Sequence, residues 1–163
     1  MARDILKMDN ARIIQPNFAG RGWMYNREGD RNFLVVIDSV DIANELARDG
    51  WNVKIKEPKE DGDEPFCFLS VKVHFNRERP NLNPTIYLRT GNNMSELNEE
   101  TVGMLDDIMI ESADMDIRPF DWEVNGKTGR SAYLVSICVT QKLDRHMLRY
   151  EEEKRLGFDE IEE

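Results

Sequence analysis

The sequence predicts a mainly β domain with a few helices, of antiparallel, α+β or small-barrel architecture. Three observations carry this. About six or seven segments read as strands against two or three as helices. Strands and helices do not alternate strictly, as a doubly wound parallel sheet would require. The chain has 163 residues, 40% hydrophobic and 33% charged, which suits one soluble domain with a sizeable core.

Taken in order, ARIIQPNF (11–18) reads as a first short strand ending at Pro16. RNFLVVID (31–38) has continuous apolar character, as a central strand does. SVDIANELARDG follows as a helix: Ser39 caps it, Ile42, Ala43, Leu46 and Ala47 form its apolar face, and Gly50 stops it. WNVKIK (51–56) alternates, with Trp51, Val53 and Ile55 on one face and Asn52, Lys54 and Lys56 on the other. In FCFLSVKVHF (66–75), Cys67, Leu69, Val71, Val73 and Phe75 make an apolar core face. The opposite face carries Phe66, Phe68, Ser70, Lys72 and His74. TIYLRT (85–90) repeats this, Ile86 and Leu88 inward, Tyr87 and Arg89 outward. Between them a proline-bounded loop contributes Arg77 and Arg79.

LNEETVGMLDDIM has the marks of a helix, with Asn98 as cap, Leu97 and Val102 as a hydrophobic staple, and Leu105, Ile108 and Met109 continuing the face. A hairpin then turns at Asn125-Gly126, with Gly129 as the far limit of its loop. Its return strand places Tyr133, Val135, Ile137 and Val139 on one face, whereas Pro119 interrupts the outgoing strand and leaves Trp122 unplaced. Beyond Thr140 a helix runs into the acidic end.

The net charge of −10 weighs against nucleic acid only if the acid is spread evenly. It is not: residues 57–64 carry −4, 96–116 carry −8 and 150–163 carry −5, so the remainder nets +7. No apolar run approaches the ~18 residues of a membrane span, and the first residues lack a secretory signal pattern. Cys67 and Cys138 lie in apolar strand-like runs and read as buried free thiols rather than a disulfide. A cytoplasmic location follows.

Catalytic patterns are lacking. There are two histidines, His74 and His146, with no zinc-ligand spacing, and no G-x-S-x-G elbow. GKTG at 126–129 has Asp121 where a phosphate loop needs its first glycine. Asp106, Asp107, Glu111, Asp114 and Asp116 could hold magnesium in a nuclease, but such density at a helix end reads first as a solvated face. The expectation is no enzyme, no catalytic residue, no metal and no cofactor.

The stronger signal is a combination of rings and bases. In FAGRGWMYNREGDRNFLVVI (18–37), Arg21, Arg27 and Arg31 interleave with Trp23 and Tyr25 in a loop that Gly20, Gly22 and Gly29 make flexible, and Phe33 enters the core. Single strands are bound by a basic groove for phosphates and rings for base stacking, worth ~1–3 kcal/mol per base. The candidate stacking rings are Trp23, Tyr25, Phe66, Phe68 and Tyr87. The candidate phosphate partners are Arg21, Arg27, Arg31, Lys54, Lys56, Lys72, Arg77, Arg79, Arg89, Lys127 and Arg130. Trp51, Phe75 and Tyr133 share faces with aliphatic residues and are assigned to the core.

These blocks, in this order, together with DGWNVK, IYLRT and IRPFDWEVNGKTGRSAYL, resemble bacteriophage and prophage OB-fold single-stranded-DNA-binding proteins over roughly residues 12–145. The resemblance implies an OB-like antiparallel Greek-key barrel with helical elaborations. It also implies a protein that coats and protects single-stranded DNA in phage replication or recombination, with little sequence preference. Residues 1–145 form the expected nucleic-acid-binding domain. Residues 146–163 form an acidic tail, helical at its start and then disordered, suited to replication or recombination partners through Leu156, Phe158 and Ile161. Unlike the best-known bacterial tails it ends in Glu162-Glu163. Single-stranded DNA is the expected partner, no membrane is expected, and the homo-oligomeric state stays open. The competing readings are a non-DNA interaction module acting through the acidic faces (a DNA mimic or replisome adaptor) and, below it, the metal-dependent nuclease.

Overall fold

The computed structural model describes residues 5–58, 60, 62–144, 146, 149 and 152. Its strands are β1 (Leu6–Ala11), β2 (Ile13–Asn17), β3 (Arg31–Ile37), β4 (Val53–Lys56), β5 (Phe66–Val73), β6 (Thr85–Thr90), β7 (Asn93–Leu97), β8 (Ile110–Val124) and β9 (Lys127–Gln141). One α-helix, α1 (Val40–Arg48), joins β3 to β4, and 3₁₀ helices span Pro80–Leu82 and Val102–Asp107.

The strands pair in the path β1-β8-β9-β5-β3-β2. Only Arg12 separates β1 from β2, and its carbonyl accepts a hydrogen bond from Val36 N–H at 2.9 Å. β1 and β2 are therefore one bent strand whose two halves serve opposite ends of the path, and the circuit closes on itself. Two bulges produce the bend, where the register shifts between Met8 and Ala11 and between Ile14 and Asn17. Asn10 and Gln15 take positive φ there, of 53° and 48°. The result is the five-stranded OB arrangement, with β4 added beside β5 and the β6–β7 pair beside β9.

The sheet is mixed rather than wholly antiparallel: β9 runs parallel to both β5 and β6. A parallel pair needs a crossover of a dozen or more residues, and the long insertion after β5 supplies it. The core fills the circuit with Phe33, Val35, Leu69, Val71, Ile86, Ile117, Ile137 and Val139, all under 3% exposed. Phe18 stacks on Phe33 at 5.2 Å and is itself fully buried.

The alternations expected of 51–56, 66–75 and 85–90 are present. Ser39 Oγ accepts from Ile42 N–H at 3.3 Å, and Gly50 ends α1 at φ 99°. The helix's buried face is narrower than expected: Ala43 is buried and Val40 and Leu46 pack on the core, while Ile42 and Ala47 are exposed.

Three expectations are corrected. The helix expected around 97–109 is a single 3₁₀ segment, because β7 extends to Leu97 and β8 begins at Ile110. Its buried residues, Val102 and Leu105, sit three apart, the 3₁₀ period. Asn98 still caps the turn, its Oδ1 accepting from Glu100 and Thr101 N–H. Secondly, Pro119 is buried within β8 opposite Ala132. The strand continues through it because the pairing with β9 runs without a shift from Ile117↔Leu134 to Val124↔Lys127.

Thirdly, the return strand does not keep Tyr133 in phase with Ile137. Asp116 pairs with Ser136 and Ile117 with Leu134, so Val135 is an extra residue. This bulge turns Ala132, Leu134, Ile137 and Val139 inward and Tyr133 outward. The turn itself is two residues, Asn125 and Gly126, at φ 52° and 79°, with Val124 paired to Lys127.

Cys67 is buried and Cys138 half-buried on the outer face, both free thiols. Of the helix expected past Thr140, His146, Arg149 and Glu152 are helical. The tail from 153 onward, with Leu156, Phe158 and Ile161, lies outside the described residues. No helix among the described residues is long and apolar enough to cross a membrane.

Candidate nucleic-acid interface

Residues paired across neighbouring strands share one sheet face, and on the outer face this produces a single row. Arg118 on β8 pairs with Tyr133 on β9, Tyr133 with Lys72 on β5, and Lys72 with Asn32 on β3. The Tyr133 ring is flanked by two cations, Arg118 Cζ at 5.0 Å and Lys72 Nζ at 5.8 Å from its centroid. Phe120, 47% exposed, meets the same ring edge-on at 5.8 Å. An aromatic face between two positive charges suits a base with phosphates on either side.

The row opens into a cleft lined by Gly29, Asp30, Arg31, Asn32, Lys72, His74 and Tyr133. Arg31 is committed within the fold: Nη1 donates to the Phe18 carbonyl, and its guanidinium lies 5.4 Å over the Phe75 ring. Asn32 ties the row to the loop before β3, donating Nδ2–H to Asn26 Oδ1 at 2.9 Å.

That loop is braced rather than loose. Trp23 and Asn26 exchange both backbone hydrogen bonds, at 2.9 and 3.0 Å, which makes a tight turn. Its tip presents Trp23, Met24 and Tyr25, respectively 60%, 85% and 80% exposed, with the two rings edge-to-face at 5.2 Å. Asn26 Nδ2 bonds the carbonyls of Arg21, Arg27 and Asp30. Glu28 accepts from Gly22 N–H at 2.7 Å. At the entrance, Asp106 accepts from Phe18 and Ala19 N–H at 2.7 and 2.9 Å, and a Cβ on Gly103 would sit 3.1 Å from that of Ala19. Of Gly20, Gly22 and Gly29, expected as springs, Gly20 and Gly22 instead lie against Gly29 and Glu28 of the opposite arm, so that the two arms of the loop touch at its neck.

A second ring–base cluster lies on the outer face of β4 and β5. Lys54 pairs with Phe68 and Lys56 with Phe66, Lys56 Nζ stands 5.6 Å over the Phe68 ring, and the two rings are 5.7 Å apart.

The remaining candidates sit elsewhere. Arg21 pairs with Asp107 at 3.6 Å, Arg27 is exposed in the loop, and Arg77 pairs with Glu99 at 3.6 Å beside exposed Arg79. Lys127 follows the hairpin turn. Tyr87 and Arg89 point outward, but Tyr87 stands in the row Glu96–Tyr87–Cys138–Asp114, an acidic neighbourhood. Arg130 is on the other face of the hairpin from Tyr133. It bonds Asp121 at 2.7 Å, reaches Asp49 at 3.4 Å, and lies 5.4 Å over the buried Trp51.

Four of the five carboxylates considered for a metal serve separate partners. Asp106 caps the loop, Asp107 meets Arg21, Asp114 accepts from Asn10 N–H at 2.7 Å, and Asp116 accepts from the Ser136 hydroxyl at 3.2 Å. Among the described residues no group of three His, Cys, Asp or Glu is placed to hold a metal ion.

Sequence reasoning missed Arg118 and Phe120, assigned Tyr133 to the core and left Trp122 unplaced. One signal was available. A two-residue turn at 125–126 fixes the pairing of the hairpin as far as Ile117 and Leu134, so Arg118 faces Tyr133 by counting back from it. The bulge at Val135 has no comparable mark.

A family model described as "Putative phage ssDNA-binding domain" matches residues 1–159. No curated protein matches in sequence. Among solved structures, the C-terminally truncated single-stranded DNA-binding protein from bacteriophage Enc34 aligns with TM-score 0.55 at 14% identity, covering 86% of this chain and 87% of that one. The same phage protein in complex with ssDNA aligns with TM-score 0.55 at 14% identity, over 86% and 88% of the two chains. At such identity the likeness is one of fold.

Proposed function

The chain belongs to the phage ssDNA-binding domain family, and from that premise we propose that it coats and protects single-stranded DNA in phage replication or recombination, with little sequence preference. One observation carries the reading: Tyr133 stands on the outer sheet face between Arg118 and Lys72, beside the cleft that leads to the Trp23–Tyr25 loop. In an OB barrel the nucleic acid crosses the face of the second and third strands and the loops between strands one and two and strands four and five. Here those are β3 and β5, the loop before β3, and the β8–β9 hairpin.

The mechanism is binding alone, without a catalytic step. Phosphates pair with Arg118, Lys72, Lys54, Lys56 and the arginines of the loop, and bases stack on Tyr133, Trp23, Tyr25, Phe66 and Phe68. Rings accept any base, which gives the sequence tolerance. The acidic strand ends around Asp114 and Glu96 border this face and repel phosphate, confining the strand to the basic side. The site of action is the host cytoplasm, with the tail from 146 onward serving partner proteins.

Titration of the protein with oligo-dT, followed by intrinsic tryptophan fluorescence at several salt concentrations, tests the reading. Quenching with steep salt dependence is expected. Absence of binding at low salt would overturn it and favour a module working through its acidic faces.

A further inference from the structure

Trp122 pairs with Gly129 across the hairpin, on the same outer face as Tyr133 and Phe120. A Cβ on Gly129 would lie 2.3 Å from Trp122 Cζ2 and 2.6 Å from Cε2. The indole is therefore laid flat against the glycine backbone, a pose no other residue at 129 permits. With one face on Gly129 and the side chain 39% exposed, the other face is turned outward. The ring lines a cleft together with Asn52, Ser70, Lys72 and Arg130, whose guanidinium is held by Asp121. Lys72 also lines the first cleft, beside Tyr133, so the two clefts meet at one cation.

Resting on the single-strand-binding reading, we infer that Trp122 on Gly129 is a second base-stacking subsite, and that the strand runs from the Tyr133 cleft past Lys72 along the hairpin. Phe120 lies between the two rings on β8, and successive outward residues on a strand are roughly 6.6–6.8 Å apart. The outer face of the hairpin is then a continuous lane for bases, with Lys72 at its junction for a phosphate. Gly129 does not take a positive φ, and the atoms nearest an added Cβ all belong to the indole, so it is the ring that opposes alanine there.

The test is fluorescein-labelled oligo-dT binding, read by anisotropy, for the wild-type chain and Trp122→Ala, Trp122→Phe and Gly129→Ala, each checked by thermal melting. Loss of one stacking partner should weaken binding about 5- to 150-fold in Trp122→Ala. Gly129→Ala keeps the indole but tips it off the backbone, and should weaken binding in the same direction. Trp122→Phe should retain most of the affinity. Wild-type affinity in Trp122→Ala or Gly129→Ala would overturn the subsite while leaving the functional reading intact. Failure of the wild-type chain to bind would instead sink that reading. Independently of any variant, an oligonucleotide carrying 5-bromodeoxyuridine should photo-cross-link to Trp122 of the wild-type chain. Cross-links at Trp23 with none at Trp122 would count against the lane.

Discussion

Gly29 donates its N–H to the Gly20 carbonyl at 2.8 Å, and a Cβ on Gly20 would stand 3.1 Å from the Gly29 carbonyl carbon. This contact closes the neck of the loop that carries Trp23 and Tyr25. Both glycines have positive φ, 73° and 95°, but only Gly20 is also crowded. A side chain in the left-handed region costs roughly 1–2 kcal/mol. Gly20→Ala should therefore lose more stability in urea denaturation than Gly29→Ala, and should also weaken oligo-dT binding by opening the neck. Equal losses in the two variants would show that backbone strain, not the close approach, matters.

Asp106 reaches the same loop from the 3₁₀ helix, with each carboxylate oxygen accepting one backbone N–H, from Phe18 and from Ala19. Removing a partner from such groups costs about 1–3 kcal/mol. Asp106→Ala should destabilise the domain by that order and weaken oligo-dT binding, because the tip loses its anchorage. A double-mutant cycle separates this from general damage. In a Trp23→Ala, Tyr25→Ala background, the affinity cost of Asp106→Ala should vanish, since the rings it positions are gone. An undiminished cost would show that Asp106 does not act through them.

The repeating parts of this fold were legible because each needs only local information. Alternation placed Cys67, Leu69, Val71 and Val73 inward, Ser39 and Gly50 bounded the helix, and Asn125-Gly126 fixed the hairpin. What escaped depends on partners far along the chain. The positive φ of Asn10 and Gln15 bends one strand so that its halves serve opposite ends of the sheet path, and the bulge at Val135 reverses the face of Tyr133; neither leaves a compositional mark. Asp106 looked like part of an acidic surface because its ligands are backbone amides of residues 18 and 19. The rings and bases of the loop could be read as a group, whereas the Arg118–Tyr133–Lys72 row exists only once three strands are paired.

Cys67 gives the fold a pH dependence of definite sign. Burial, with a smaller contribution from the Glu57 charge, raises its thiol pKa above 9.0. Below that value the thiol is protonated in both states and costs nothing. As pH rises past it, the unfolded chain ionises before the native thiol does, so stability falls. Chemical denaturation at about pH 8 and pH 10 should show a steeper decline for the wild-type chain than for Cys67→Val. Parallel declines would mean that the native thiol ionises normally.

The cations of the two hairpin faces should separate in their response to salt. Each phosphate neutralised on a single strand contributes about 0.7 to the slope of log affinity against log salt. Arg118 and Lys72 flank an exposed-face ring, so Arg118→Gln and Lys72→Gln should each weaken oligo-dT binding and lower that slope by about 0.7. Arg130 lies on the opposite face with Asp121, Asp49 and Trp51 around it. Arg130→Gln should leave the slope unchanged and instead lower the melting temperature, because the hairpin loses its tie to the end of α1. A slope reduced by Arg130→Gln but not by Arg118→Gln would move the phosphate path to the other face of the hairpin. The measurement thus decides which face carries the DNA, independently of how tightly any variant binds at a single salt concentration.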